Sequence, residues 1–127
     1  MKAAILAPFL MCSGCSEACQ TTVASRSLSP DGNHAAVLFQ RDCGATTGFS
    51  TQISILDADG KPSGGGNAFV ADDDHGAPRN GNWEGPWADM KWLSPKRLLI
   101  RYAAKSRLIK QKERVSGVNI TYQMGSR

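Results

Sequence analysis

The sequence predicts an all-β protein, either a single antiparallel sheet or a small sandwich of about seven short strands. Three observations predict it. Residues Phe49 to Leu56 alternate in type, with Phe49, Thr51, Ile53 and Ile55 on one side and Ser50, Gln52 and Ser54 on the other; a repeat of two is the signature of a strand with one face in a core. Turn signals recur at short intervals, at Ser29-Pro30-Asp31-Gly32, Asp57-Ala58-Asp59-Gly60-Lys61 and Ser94-Pro95-Lys96-Arg97. The 127 residues include 13 Gly and 6 Pro, which favour many turns and short strands over long helices. That length is one domain's worth.

The elements follow in order. Ser29-Pro-Asp-Gly is a turn, because Pro presets φ and Gly accepts the positive φ that a turn needs. His34 to Arg41 then reads as a strand, and its apolar centre (Ala35, Ala36, Val37, Leu38, Phe39) predicts burial on both faces. Residues 42–48 form a small-residue loop, followed by the alternating strand to Leu56. Gly64-Gly65-Gly66 is a joint, and Asn67 to Ala71 a short strand. Asp72 to Pro86 is a long polar loop, the kind of segment that carries function. Ala88 to Leu93 is a strand with Trp92 directed to the core, and Leu98 to Tyr102 a strongly apolar one. Arg107–Gln111 and Val118–Gln123 read as a last hairpin turning near Ser116-Gly117, with helix the alternative for 103–114.

The net charge of +4 is mild but uneven. Asp31 to Met90 carries three basic and nine acidic residues, whereas Lys91 to Arg114 carries nine basic and one acidic. Two solvated faces that partly neutralise each other account for this; a basic surface for anionic lipid, glycan or protein is the sharper reading. The basic stretch has no recognition-helix pattern, so nucleic acid is not an expected partner.

Met1-Lys2 is followed by an apolar run to Met11, too short for the roughly 20 residues of a membrane span but the size of a signal-peptide core. The segment Leu10-Met11-Cys12-Ser13-Gly14-Cys15-Ser16 resembles a bacterial lipoprotein signal. The resemblance implies cleavage after Gly14 and a lipid on Cys15, with Cys12 the alternative site; Cys12 also stands where such signals usually carry Leu. Ser16 after the lipidated residue implies outer-membrane sorting and a periplasm-facing, membrane-tethered protein. On this reading residues 1–14 are the signal, 15–28 a flexible tether and 29–124 the globular domain. Cys19 and Cys43 then remain as an even pair in an oxidising compartment, and a bond between them closes a loop of about 25 residues, contributing on the order of 3 kcal/mol. A free thiol at Cys43 and a metal pair are the rival readings.

Two further resemblances bear on architecture. Ser29-Pro-Asp-Gly with Ile55-Leu-Asp-Ala-Asp-Gly60, and again Trp92-Leu-Ser-Pro-Lys-Arg-Leu-Leu-Ile100, look like strand–turn–strand pieces of a TolB-like propeller blade. Two blades cannot close a ring, which needs about four. The run Arg41-Asp-Cys-Gly-Ala-Thr-Thr-Gly-Phe-Ser-Thr-Gln-Ile-Ser-Ile-Leu56, with the flanking Ser-Pro motifs, resembles a family of short bacterial envelope proteins of unknown function. That resemblance implies location and β architecture, and no activity.

The sequence offers few groups for chemistry. Only His34 and His75 are available as a general base, and no G-x-S-x-G nucleophile elbow is present. Asp72, Asp73 and Asp74 are the candidate oxygen ligands for a hard cation, but neighbouring carboxylates on an extended chain point apart and the spacing misses the calcium-loop pattern. No metal and no cofactor is therefore expected. Arg41 with Thr46 and Thr47 is a candidate anion-binding loop, the alternative being a hairpin whose small residues merely fit the turn. Trp83 and Trp87, flanked by Gly and Pro, are candidate exposed contacts for protein or glycan. The expected function is a non-catalytic binding or structural module, one version being an immunity or inhibitor-type protein, with a small envelope hydrolase using Cys43 or His75 as the rival.

Overall fold

A computed structural model describes residues 19–43 and 49–125. The order of strands is β1 (Gln20–Leu28), β2 (His34–Asp42), β3 (Ser50–Asp57), β4 (Phe69–Asp72), β5 (Ala88–Ser94), β6 (Arg97–Tyr102), β7 (Arg107–Gln111), β8 (Arg114–Val115) and β9 (Val118–Met124), with a 3-10 turn at Asp74–Gly76. They form a five-stranded antiparallel sheet, β1-β2-β3-β4-β7, and a four-stranded mixed sheet, β5-β6-β9-β8. Of the two expected architectures the sandwich is the one found. Its main core joins both sheets: Ala36, Leu38, Ile53, Ile55 and Phe69 from the first meet Leu98, Ile100, Val118 and Ile120 from the second. Phe69 lies between Tyr102 and Tyr122, with ring centroids 5.9 Å from each. The Tyr122 hydroxyl donates toward the carbonyls of Ala68 (3.2 Å) and Lys112 (2.6 Å), and burial pushes its phenol above the ordinary range.

Both Ser-Pro turns join antiparallel neighbours. Gly32 at φ +75° donates to Ser29 O at 2.9 Å, and the Asp31 carboxylate accepts from Ser29 Oγ at 2.7 Å and Asn33 N at 3.1 Å. Those hydrogen bonds, the Ser29 hydroxyl first, hold the Asp31 carboxyl below its usual range.

Four expectations are corrected. The tether expected over 15–28 does not extend through it, because Gln20–Leu28 is strand β1, paired with β2 from Gln20↔Asp42 to Leu28↔Ala35. Its side chains are nearly all exposed, so backbone pairing rather than side-chain burial makes it a strand. The described residues hold nine strands instead of about seven. The last hairpin is β8–β9, turning on Ser116 and Gly117 at φ +53° and +79°; Arg107–Gln111 is a strand, but it joins β4 in the other sheet. Finally, β3 is not half-buried. Ser50, Gln52 and Ser54 are covered as well as Ile53 and Ile55.

That last difference has a clear cause. Residues 58–67 lie across the outer face of the five-stranded sheet. Arg26 of β1 donates to Ala58 O (2.6 Å) and Gly60 O (2.9 Å), and Lys110 of β7 to Gly66 O (2.9 Å). Beneath, Gly66 N donates to Gln52 Oε1 at 2.7 Å and Asn67 N to Ser54 Oγ at 3.0 Å, so the covered polar groups are satisfied. Gly66 fits because a Cβ there would come within 2.7 Å of Phe69 O and 2.9 Å of Ile53 O. Ala35, Val37 and Phe39 are fully buried on this same face, giving β2 the two covered faces its sequence predicts.

Candidate functional site

A cleft of about 380 Å³ lies on the outer face of the five-stranded sheet, at the end where the chain enters β1. Strand register builds it. Thr21↔Arg41, Ser50↔Asp72 and Asp72↔Arg107 bring residues far apart in sequence to one end of the sheet. Arg41, Ser50, Gln52, Val70, Asp72, Arg107 and Ile109 line the floor and one wall, and Asp73, Asp74 and His75 the rim. Cys43 also borders it, and Cys43 is bonded to Cys19. The free-thiol and metal-pair readings of these two cysteines are thereby set aside.

The polar groups of the cleft differ in how they are satisfied. Arg107 Nε lies 3.0 Å from both oxygens of Asp72, and Nη2 completes a forked contact with Oδ2. Asp74 N donates to Asp72 Oδ1 at 3.0 Å. The Arg107 guanidinium holds the Asp72 carboxyl below its ordinary range; partial burial opposes this and the Asp74 amide adds to it. Ser50 Oγ donates to Arg41 O at 3.1 Å and accepts from Gln52 Nε2 at 3.0 Å. Arg41 is half-buried, and its guanidinium has no hydrogen-bond or ion-pair partner among the described residues. Asp74 and His75 hold φ of +42° and +60°, a region that L-residues seldom adopt and that clusters at functional sites.

Of the sequence candidates, Arg41 and the Asp72, Asp73, Asp74 run meet here. Thr46 and Thr47, like Cys12 and Cys15, lie outside the described residues. No group of three or more His, Cys, Asp or Glu among the described residues is placed to hold a metal ion, and Asp72 is instead engaged by Arg107. Gln52, Arg107 and Ile109 escape sequence reasoning because only pairing of β3, β4 and β7 brings them beside Arg41; the polar face of the Phe49–Leu56 alternation was the one local sign.

The two tryptophans are not free surface anchors. Trp83 is half-buried against the core, and its Nε1 donates to Thr51 Oγ1 at 2.7 Å. Thr51 Oγ1 in turn donates to Pro86 O at 2.5 Å. Trp87 is half-buried, with the Arg79 guanidinium 4.3 Å from its ring and that of Arg101 at 5.8 Å. Arg101 also pairs with Asp89, through Nε at 2.9 Å. Trp92 is half-buried against the core as expected, and donates to Ser27 O at 3.0 Å, tying β5 to β1. A second, smaller cleft of about 210 Å³ lies between Trp83 and the β1–β2 edge, lined by Thr22, Gln40, Asn82, Trp83 and Glu84.

Among the described residues no helix is long and apolar enough to cross a membrane. Comparison of the chain with protein-family models, with curated proteins and with solved structures finds no match.

Proposed function

We propose that this chain is a non-catalytic binding module of the bacterial cell envelope, anchored by lipid on Cys15 in the outer membrane and facing the periplasm. The ligand is a small molecule that carries an anionic group beside a cationic one. The observation that carries the reading is the Arg41 guanidinium, without a partner among the described residues, in a cleft where Arg107 is already neutralised by Asp72. A carboxylate or phosphate on Arg41 gains a charge-assisted hydrogen bond in a partly desolvated site. An ammonium group then falls toward Asp73 and Asp74 on the rim.

The disulfide supports an oxidising compartment. The lipid reading also places the cleft. Three residues separate Cys15 from Cys19, and the four Cα steps span at most about 14 Å, so the cleft end of the sheet stays near the headgroup layer. The hydrolase reading finds no support in its named residues. The Cys43 sulfur is bonded to Cys19, and His75 has no hydrogen-bond partner among the described residues to orient it as a base.

The test uses the mature, non-reduced protein, with calorimetric titration of glycine and of O-phosphoethanolamine. At least one binds, and Arg41→Gln weakens it about tenfold or more, equivalent to the loss of about 1.4 kcal/mol. Binding that survives Arg41→Gln, or no binding of either, overturns the cleft as the site. Mass spectrometry of the membrane fraction tests the anchor separately: a retained Met1 overturns it.

A further inference from the structure

We propose that the smaller cleft between Trp83 and the β1–β2 edge is a saccharide site that takes one neutral pyranose ring. The proposal is independent of the Arg41 cleft, which opens on the other face of the sheet. Four observations carry it. Gln40 is 8% exposed and borders the cleft, yet its amide has no partner among the described residues. An amide that the protein does not engage keeps its oxygen as an acceptor and its NH2 as a donor for a ligand in the cleft it borders. The remaining polar lining supplies the amide of Asn82, the carboxylate of Glu84 and the hydroxyl of Thr22, a mixed set of donors and acceptors. A polyhydroxyl ring satisfies such a set, since each hydroxyl both donates and accepts. A phosphate or carboxylate does not, because among the described lining residues the only charged group is Glu84.

The third observation is the aromatic wall. Gly81 lies against the six-membered ring of Trp83, where a Cβ would come within 2.4 Å, and the half-buried Trp83 borders the cleft. An indole surface offers a negative π face to the polarised C–H groups of a sugar. The fourth is rigidity. Trp83 is fixed by Thr51, and its loop is closed by Gly81 N to Gly85 O at 2.8 Å and Glu84 N to Gly81 O at 3.2 Å. A preformed site loses less freedom on binding, which matters for a small ligand. The volume of about 210 Å³ is below the roughly 300 Å³ where drug-sized pockets begin, and suits a single ring.

The experiment follows the Trp83 indole N–H resonance of the ¹⁵N-labelled mature protein, identified by its loss in Trp83→Phe, during titration with N-acetylglucosamine, glucose and O-phosphoethanolamine. One of the two sugars shifts it saturably in the millimolar range, and O-phosphoethanolamine leaves it in place. Asn82→Ala, an exposed loop substitution that leaves the fold intact, weakens the sugar about tenfold, and Gln40→Leu abolishes the shift. If Gln40→Leu fails to fold, Asn82→Ala decides alone. No shift with either sugar, a shift with the phosphate only, or equal affinity in wild type and Asn82→Ala each overturns the proposal.

Discussion

Residues 72–76 and 77–86 read in the sequence as one long loop, yet they are held in opposite ways. The first part surrounds the Arg41 cleft. Its carboxylates and His75 face water or an arginine, and Asp74, His75 and Gly76 hold positive φ with no apolar packing to impose it. The second part is fastened to β3. Pro86 is fully buried, Thr51 bonds both Pro86 O and the Trp83 indole, and Gly85 lies against the backbone of Ser50. The lesson is that one hydroxyl on the inner face of a strand can hold two points of a ten-residue loop segment when glycines let the chain approach it. At the same sheet end Asp74 stays exposed and the partly buried Asp72 is paired with Arg107, because burying an unpaired charge costs far more than a contact returns.

Gly85→Ala breaks the contrast most severely. The added Cβ would lie 2.5 Å from Thr51 Oγ1 and 2.6 Å from Ser50 O, and the backbone oxygen has nowhere to go. The expected loss is about 2–3 kcal/mol, read as a lower urea midpoint at unchanged slope. A loss below about 0.5 kcal/mol would mean that the second part is no more firmly seated than the first.

Asp72→Asn probes the open part and has a smaller effect. Asp72 is 16% exposed but Arg107 is 65% exposed, so solvent screens the pair and the expected loss at neutral pH is about 0.5–1 kcal/mol. The sign follows from the depressed folded-state value: the contribution is present above the unfolded carboxylate pKa of about 3.9 and is lost as the pH falls through the lower folded value. Wild type and variant therefore converge in acid. A gap that persists unchanged at acid pH would assign the effect to packing instead of charge.

His75→Gly is the smallest change. Gly accepts φ +60° without a Cβ clash, so thermal denaturation should show a neutral to slightly more stable protein, by about 0.5 kcal/mol. A clear destabilisation would show that the His75 side chain holds the rim together.

The parts of the fold legible in the sequence are those where side-chain burial decides. The apolar run of β2, the Ile53/Ile55 side of β3, the Leu98/Ile100 pair of β6 and the Val118/Ile120 alternation of β9 all fall where their patterns predict. The Cys19–Cys43 bond and the two Ser-Pro turns do as well. What eluded the sequence is decided by backbone pairing between distant segments. Gln20–Leu28 has only Val23 and Leu28 as large apolar residues, both exposed, and owes its extended form to β2. Gln52 and Ser54 look like a solvent face until the 58–67 connection supplies their partners. Of the sites, Arg41 was visible as a cation beside a small-residue loop. Gln40 was not, since a glutamine ending an apolar strand gives no sign that its amide will lack a partner.

The position of β7 has a consequence for how the molecule comes apart. In chain order it falls between β6 and β9, neighbours in one sheet, yet it forms the edge of the other. The polypeptide thus leaves the smaller sheet, stitches the larger one and returns to finish the smaller. Neither layer can be peeled away as a stable half, and a single proteolytic nick near Ser106 or Glu113 leaves both pieces clasped. Such crossing also raises the sequence distance between paired segments, which slows folding and makes loss of structure an all-or-none event.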